Sequence, residues 1–425
     1  MIGVQLNDEQ RYAVDRMHSF INSNESFFVL SGPAGTGKTS CVTTLIAETS
    51  VNIALTAPSN KATKVLRELG NKFPEGKADT ATIYSILGLR LDKSGEEIRV
   101  AGTGSNKAGK YSVVVVDEGF TTKKILLRYI REAALEFGTK FIFMGDPYQL
   151  PPVKESFSEV SLLPNPVFLT KVMRHDNQIL SLATAIRTSI ANSTPLPAIV
   201  SNYDDSGGVR RVNSKAFLGM ALERFLSQEY LDDPWSTKIV AYRNDTVKWY
   251  NSEVRRALYG READEAPFTV GERVVVCQPI ICELGDDIMM TTDDEAEVLS
   301  IKEEFHPLFK GLRVHRLTLI PDDSPALVTA YVLHESSTSA YDKLKATLVE
   351  NANKCNRWGD YWRLIESIHD VRPAHAITAH RSQGSTFLTS MVDADDILSN
   401  RNKNEAIRCL YVAVTRASKL VGITK

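Results

Sequence analysis

Short apolar runs alternate with stretches of helical period along most of the chain. Phe27-Phe28-Val29-Leu30 precedes a helical stretch over 41–47, and an apolar run over 51–56 precedes another over 60–69. Residues 112–116 are a serine followed by four valines, and Phe141-Ile142-Phe143-Met144 is wholly apolar. Runs this short, bounded by turn residues, predict strands covered on both faces. Their alternation with helices predicts a parallel sheet flanked by helices. A second series of the same kind starts at 238–242 and resumes after Pro373, with strands over 374–378 and 388–392 and a helix over 405–414. Between its two parts the period changes. Residues 269–279, 296–302, 312–320 and 326–333 are β-rich and separated by turns and acidic patches, which predicts a small all-β module. Its tail, 339–370, is helical by pattern and carries Trp358, Tyr361 and Trp362.

Composition changes this picture little, and charge changes it more. A chain of 425 residues should hold about two to four folding units. Hydrophobic content of 43% and charged content of 24% are ordinary for globular proteins and exclude extended disorder. No apolar run approaches the ~20 residues that span a bilayer, and the polar start lacks the apolar core of a signal peptide. The expectation is a cytoplasmic protein with no membrane partner. The five cysteines are scattered without a Cys-x-x-Cys pair, so they read as reduced thiols, neither a disulfide frame nor a zinc site. With a net charge of −2, a nucleic-acid partner would have to be held in a local groove instead of by a basic surface.

Chemistry concentrates after the first strand. Gly32-Pro33-Ala34-Gly35-Thr36-Gly37-Lys38-Thr39 is a complete phosphate-binding P-loop between a strand and a helix. Glycines let backbone N–H groups face phosphate oxygens without side-chain obstruction, and the helix adds its positive N-terminal end. Lys38 is expected to reach the β- and γ-phosphates and Thr39 to hold Mg²⁺. Asp117-Glu118 ends the valine strand, where open α/β sheets bind ligands. Asp117 is expected to complete the Mg²⁺ shell and Glu118 to polarise the attacking water. One strand further, Gly145-Asp146-Pro147-Tyr148-Gln149 turns Gln149 back toward the γ-phosphate. The chain is expected to bind and hydrolyse ATP.

From that turn onward the chain resembles the superfamily 1 helicases, and within them the RecD and Dda-like group. Leu6-Asn7-Asp8-Glu9-Gln10 is similar to the adenine-reading Q motif, with Gln10 at the base edge. Residues 56–62, with Pro58 and Asn60, resemble motif Ia, and residues 80–84, with Thr80 and Thr82, resemble motif Ib; both touch single-stranded DNA in the family. Residues 169–174 resemble the segment whose arginine, here Arg174, faces the nucleotide. Residues 376–384 resemble motif V, which assigns Thr378, His380 and Ser382 to DNA and Gln383 and Gly384 to the nucleotide. Residues 410–417 resemble motif VI, with Arg416 as arginine finger. The resemblance also covers Trp358-Gly359-Asp360-Tyr361-Trp362 ahead of motif V. One departure stands out: Gly119-Phe120 follows the two carboxylates where the family has a small or apolar residue and then Ser or Ala. Phe120 offers no hydroxyl for coupling hydrolysis to DNA contacts.

The resemblance implies an α/β fold of two RecA-like P-loop domains with the nucleotide in the cleft between them. Residues 1–177 form the first domain, and residues 178–268 with 371–425 form the second. An insert over 89–110 alternates apolar and charged residues around Asp92-Lys93-Ser94-Gly95. It reads as a hairpin, and in the family it is the strand-separating pin. Residues 269–370 form a β-barrel-like, SH3-like insert with its helical tail. The aromatic cluster 358–362 has the i, i+3, i+4 spacing of helix packing, and the acidic patches near Asp286, Asp293 and Glu303 read as solvated faces. The implied function is an ATP-dependent helicase that moves 5′→3′ on single-stranded DNA and unwinds fork or tailed duplexes. It would work as a monomer beside replication or recombination proteins, and the resemblance points to a bacteriophage setting. Two rivals share many of these motifs: a DNA-dependent ATPase that strips proteins with little unwinding, and a P-loop regulatory switch without motor activity.

Overall fold

The computed structural model describes residues 5–91, 97–99, 105–172, 178–204, 206–281, 288–322 and 324–424. The chain divides into two compact units. The first comprises residues 1–208 with Gln383–Thr386 and Leu398–Arg416; the second comprises Val209–Ser382, Phe387–Ile397 and 417–425.

In the first unit, strands β1 (Phe27–Ser31), β2 (Ile53–Ala57) and β3 (Ala78–Thr82) lead to a hairpin of β4 (Leu89–Leu91) and β5 (Glu97–Arg99). Strands β6 (Val113–Val116), β7 (Lys140–Gly145) and β8 (Pro166–Phe168) follow, and the sheet runs β3-β2-β6-β7-β1-β8. Its strands pair in parallel, with Leu55 beside Val115, Val115 beside Ile142 and Val29 beside Phe143. The valine strand shows why the sheet is covered on both sides. Val113 and Val115 enter one apolar core with Leu30, Leu45 and Met144, while Val114 and Val116 enter the other with Leu127, Ile130 and Phe143. A continuous apolar strand needs such a two-sided burial, since successive side chains point to opposite faces. The hairpin β4–β5 pairs antiparallel as Leu89 with Arg99 and Leu91 with Glu97; the turn expected at Asp92-Lys93-Ser94-Gly95 lies outside the described residues.

The second α/β sheet contains β9 (Asn202–Asp204), β10 (Gly207–Val212) and β11 (Thr237–Ala241). The insert follows as β12 (Arg273–Val276), β13 (Ile280–Ile281), β14 (Ile288–Met290), β15 (Glu295–Phe305), β16 (Arg313–Pro321), β17 (Val328–Leu333) and β18 (Val371–Pro373). Then β19 (Ala376–Thr378), β20 (Phe387–Val392) and β21 (Ala417–Thr424) complete the α/β sheet in the order β19-β11-β20-β21-β10-β9. Two P-loop-type α/β sheets are therefore present, the architecture of paired RecA-like domains.

The insert is a five-stranded sheet of order β17-β16-β15-β12-β18 with its own core of Val274, Val298, Leu317, Leu319 and Ala330. His369, just ahead of β18, curls that sheet toward closure: its N–H donates to the Tyr331 carbonyl at 2.7 Å, and Tyr331 N–H donates to its ring at 2.9 Å. Buried ion pairs tie the insert to the α/β sheet. Lys238 meets Glu295 at 2.7 Å, and Arg255 meets Glu272 at 2.6 Å. Such pairs add little net stability, but removing one partner strands a buried charge, so they fix how the insert is seated. The tail forms helices Thr338–Cys355 and Gly359–Ser367, where Trp358, Tyr361 and Trp362 pack on one another with ring centroids 4.8–5.5 Å apart.

Candidate functional site

The loop 32–37 leaves the end of β1 and enters helix Lys38–Glu48. Gly37 has φ 83°, and a Cβ there would strike the Gln10 amide, so both backbone and space require glycine. Lys38 Nζ donates to the carbonyls of Gly32 at 2.7 Å and Pro33 at 2.9 Å. Desolvation lowers its pKa, while the carboxylates of Asp146, Asp117 and Glu118 raise it. Its hydrogen-bond partners here are neutral loop carbonyls, which an anionic phosphate can displace. Thr39, the second helical residue, is exposed. Gln10 is buried: its Nε2 donates to the Thr36 carbonyl at 3.0 Å, and its Oε1 accepts from Asn7 N–H at 2.9 Å. One amide hydrogen and one lone pair remain for a base edge.

Asp117 and Glu118 sit where β6 ends. Glu118 is in the left-handed region, φ 50°, uncommon for a non-glycine residue and found where surrounding structure holds a side chain in place. Desolvation, and then repulsion from Glu118, push Asp117 up to about 7. The departure at Gly119-Phe120 has a packing reason. Phe120 is buried in the core behind the sheet, and a Cβ on Gly145 would lie 3.0 Å from its ring, so Phe120 and Gly145 fit each other. The next residue, Thr121, donates its Oγ1 to the Glu118 carbonyl at 2.8 Å.

The turn after β7 is held from helix Lys403–Thr415, which belongs to the same unit. Tyr411 hydroxyl donates to Asp146 at 2.6 Å, and Arg408 donates to the carbonyls of Pro147 at 2.8 Å and Gln149 at 2.7 Å. Tyr411 and Asp146 are both buried, and burial raises the Asp146 pKa against the hydrogen bonds it accepts from Tyr411 and from Tyr148 N–H. Gln383 Nε2 donates to Gln149 Oε1 at 3.2 Å. Arg416, 5% exposed, caps this helix by donating to Val412 O at 3.1 Å and also bonds Ser385 O at 3.0 Å. It is close enough to Lys38 to depress the ammonium's pKa. The first unit thus brings together Lys38, Asp117, Glu118, Gln149, Gln383 and Arg416. Sequence reasoning missed Asp146, Arg408 and Tyr411. Arg408 and Tyr411 are spaced i, i+3 within the otherwise apolar stretch 406–414, and that spacing was the available signal.

The expected DNA residues are more scattered. Pro58 precedes helix Asn60–Gly70, Thr80 lies in β3, and Thr82 caps a short helix by accepting from Ser85 N–H at 3.1 Å. In the second unit, Thr378 is 8% exposed, and Ser382 is fully buried with its hydroxyl bonded to Ala379 O at 2.8 Å. His380 is half-buried beside the Tyr242 ring. Arg174 and Asp286 lie outside the described residues. Asp293, read as part of a solvated face, instead pairs with Arg381. No helix among the described residues is long and apolar enough to cross a membrane.

The chain is similar to known proteins in sequence and in fold. Residues 5–214 match the AAA domain family, and residues 373–424 match the UvrD-like helicase C-terminal domain family. The chain is 24% identical to the ATP-dependent DNA helicase dda of Enterobacteria phage T4, over 97% of each chain. It is 23% identical to uncharacterized protein R530 of Acanthamoeba polyphaga mimivirus, over 98% of this chain and 99% of that one. Among solved structures, a Pif1 helicase from a study of unwinding at forked duplex DNA superposes with a TM-score of 0.53 at 16% identity, covering 99% of this chain and 92% of that one. Pif1 helicase from Candida albicans gives 0.51 at 16%, covering 99% and 94%. At such identity the structural likeness is one of fold.

Proposed function

We propose a working cycle from one premise: the chain belongs to the RecD/Dda-like group of superfamily 1 helicases and is an ATP-dependent DNA helicase. The observation that carries the cycle is the gathering of P-loop, paired carboxylates, Gln149, Gln383 and Arg416 within one compact unit. On ATP binding, Lys38 leaves the carbonyls of Gly32 and Pro33 for the β- and γ-phosphates. Gln10 offers its remaining donor and acceptor to adenine. Thr39 and Asp117, with Glu118 beside them, form a hard-oxygen set that fits Mg²⁺, and the raised pKa of Asp117 marks a carboxylate that a cation would ionise. When bound, Mg²⁺ neutralises charge on the transferring phosphoryl group. Glu118 takes the proton of the attacking water. Gln149 senses the γ-phosphate, and Arg416 turns from its helix-end carbonyls to stabilise the developing charge; Arg174 joins it by resemblance.

Loss of the γ-phosphate removes contacts that exist only in the ATP state, the differential interaction that a conformational switch requires. The chain supplies the route by which this reaches the second unit. Gln383 follows directly on Ser382, and Arg416 is followed by β21, so both nucleotide-facing residues end segments that continue into the other unit. DNA is then held alternately by residues 58–60 and 80–82 of the first unit and by His380 of the second. Thr378 and Ser382 act through the shape of the turn that presents His380, since Ser382 is buried. Movement is 5′→3′ by family resemblance.

Binding should be electrostatically modest. With a net charge of −2 and roughly three to five phosphate contacts, affinity for single strands should fall with salt along a slope of about −2 to −4. It should vary little with base sequence, as a motor must pass every base. Dissociation constants for homopolymeric and mixed strands across a salt series, with and without a non-hydrolysable ATP analogue, check this. An affinity indifferent to nucleotide, or a strong sequence preference, would refute the cycle.

A further inference from the structure

The insert carries a side-chain cluster that the nucleotide cycle does not use. Glu303 on β15 lies directly opposite His315 on β16, and His315 lies opposite Val332 on β17. Side chains two residues apart share a sheet face, so His334, just beyond β17, comes diagonal to His315 on the same side. His334 N–H still bonds to Arg313 O at 3.0 Å, which keeps the alternation intact there. The two imidazoles stack with centroids 4.7 Å apart. His334 Nε2 is 3.8 Å from Glu303 Oε2, and one ligand atom from each of the three residues lies within 4.8 Å of the other two.

We propose that Glu303, His315 and His334 form a binding site for a borderline divalent transition-metal ion such as Zn²⁺, with water completing the shell. Two imidazoles and one carboxylate on three adjacent chain segments are a donor set for such ions, which favour nitrogen ligands and tolerate an open position. His315 is buried, so its ring is held in place on the sheet face. A cleft of about 350 Å³ opens beside the cluster and is also lined by Asp264, Glu265 and Glu335, giving water access and a cation-attracting wall. The second ring nitrogen of His334 has a partner ready. Ser336 Oγ is 2.8 Å from Nδ1 and would accept a hydrogen bond from Nδ1–H when Nε2 ligates, at the loss of the 3.1 Å bond from Ser336 N–H. Metal bonds of about 2.0–2.2 Å require the ligand atoms to close in slightly, and the half-exposed side chain of Glu303 can supply most of that movement. Arg313, now 2.8 Å from Glu303 and itself 46% exposed, would turn toward water. A bound ion would staple β15 and β16 to the turn that starts helix Thr338–Cys355, fixing the root of the helical tail.

Zn²⁺ titration of the full chain by calorimetry, with Co²⁺ absorption in parallel, tests the site. Wild type should bind one more equivalent than His334→Ala, and Co²⁺ should give intense visible bands only where that equivalent binds. Glu303→Gln should weaken binding by more than the roughly 10–100-fold typical of losing an outer partner. Both substitutions are at partly exposed positions, so folding should survive, and circular dichroism confirms it; buried His315→Ala serves as a third variant. Zn²⁺ should raise the melting temperature of wild type more than that of His334→Ala. Equal stoichiometry and affinity in wild type, His334→Ala and Glu303→Gln would overturn the proposal, and would assign any bound zinc to thiols such as exposed Cys355.

Discussion

Arg416→Ala should hydrolyse ATP on the order of 10³–10⁵ times more slowly than wild type while still binding ATP and single-stranded DNA. An arginine finger acts on charge that builds in the transition state, so its loss lowers kcat and leaves ground-state binding largely alone. The position supports that role. Arg416 ends helix Lys403–Thr415, is 5% exposed, and sits within electrostatic reach of Lys38. Its partners include the carbonyls of Val412 and Ser385 and the Thr415 hydroxyl. Arg416→Lys should recover little, because an ammonium cannot reproduce the planar fork. Single-turnover hydrolysis alongside equilibrium ATP binding separates the possibilities: a fall in ATP affinity that accounts for the whole defect would remove the finger role.

Glu118→Gln should bind ATP and stop hydrolysing it. The amide keeps the size and the backbone position set by φ 50° at this residue, but it cannot accept the water's proton. Nucleotide binding should survive for a specific reason. Glu118 is one of the causes that raise the pKa of Asp117, so removing its charge makes Asp117 easier to ionise, not harder. The expected signature is a tight, long-lived ATP complex with DNA-stimulated turnover reduced by about 10²–10⁴ or more. Near-normal DNA-stimulated turnover in Glu118→Gln would mean that another group takes the proton.

What the sequence made legible was local. The P-loop declares itself because a strand, a glycine-rich turn and a helix follow one another within a few residues, and the unbroken valines of β6 announce a strand covered on both faces. The same holds for the insert, whose period of two stands out against its helical neighbours. Contacts between distant segments were not legible. Tyr411 meets Asp146 across 265 residues, and nothing in either neighbourhood specifies the partner. The double engagement of Gln10, in a helix cap and on the P-loop, likewise depends on how helix Asp8–Ile21 packs. Ser382 reads as a surface hydroxyl within its motif, yet the turn it closes buries it completely. Phe120 departs from the family pattern for a reason visible only with Gly145 beside it.

Strand displacement on duplexes carrying matched 5′ or 3′ single-stranded tails tests the central claim most directly. With ATP, the chain should separate the 5′-tailed duplex and leave the 3′-tailed one paired, and the non-hydrolysable analogue should support neither. ATP hydrolysis stimulated by both tails with no separation of either duplex would contradict the account.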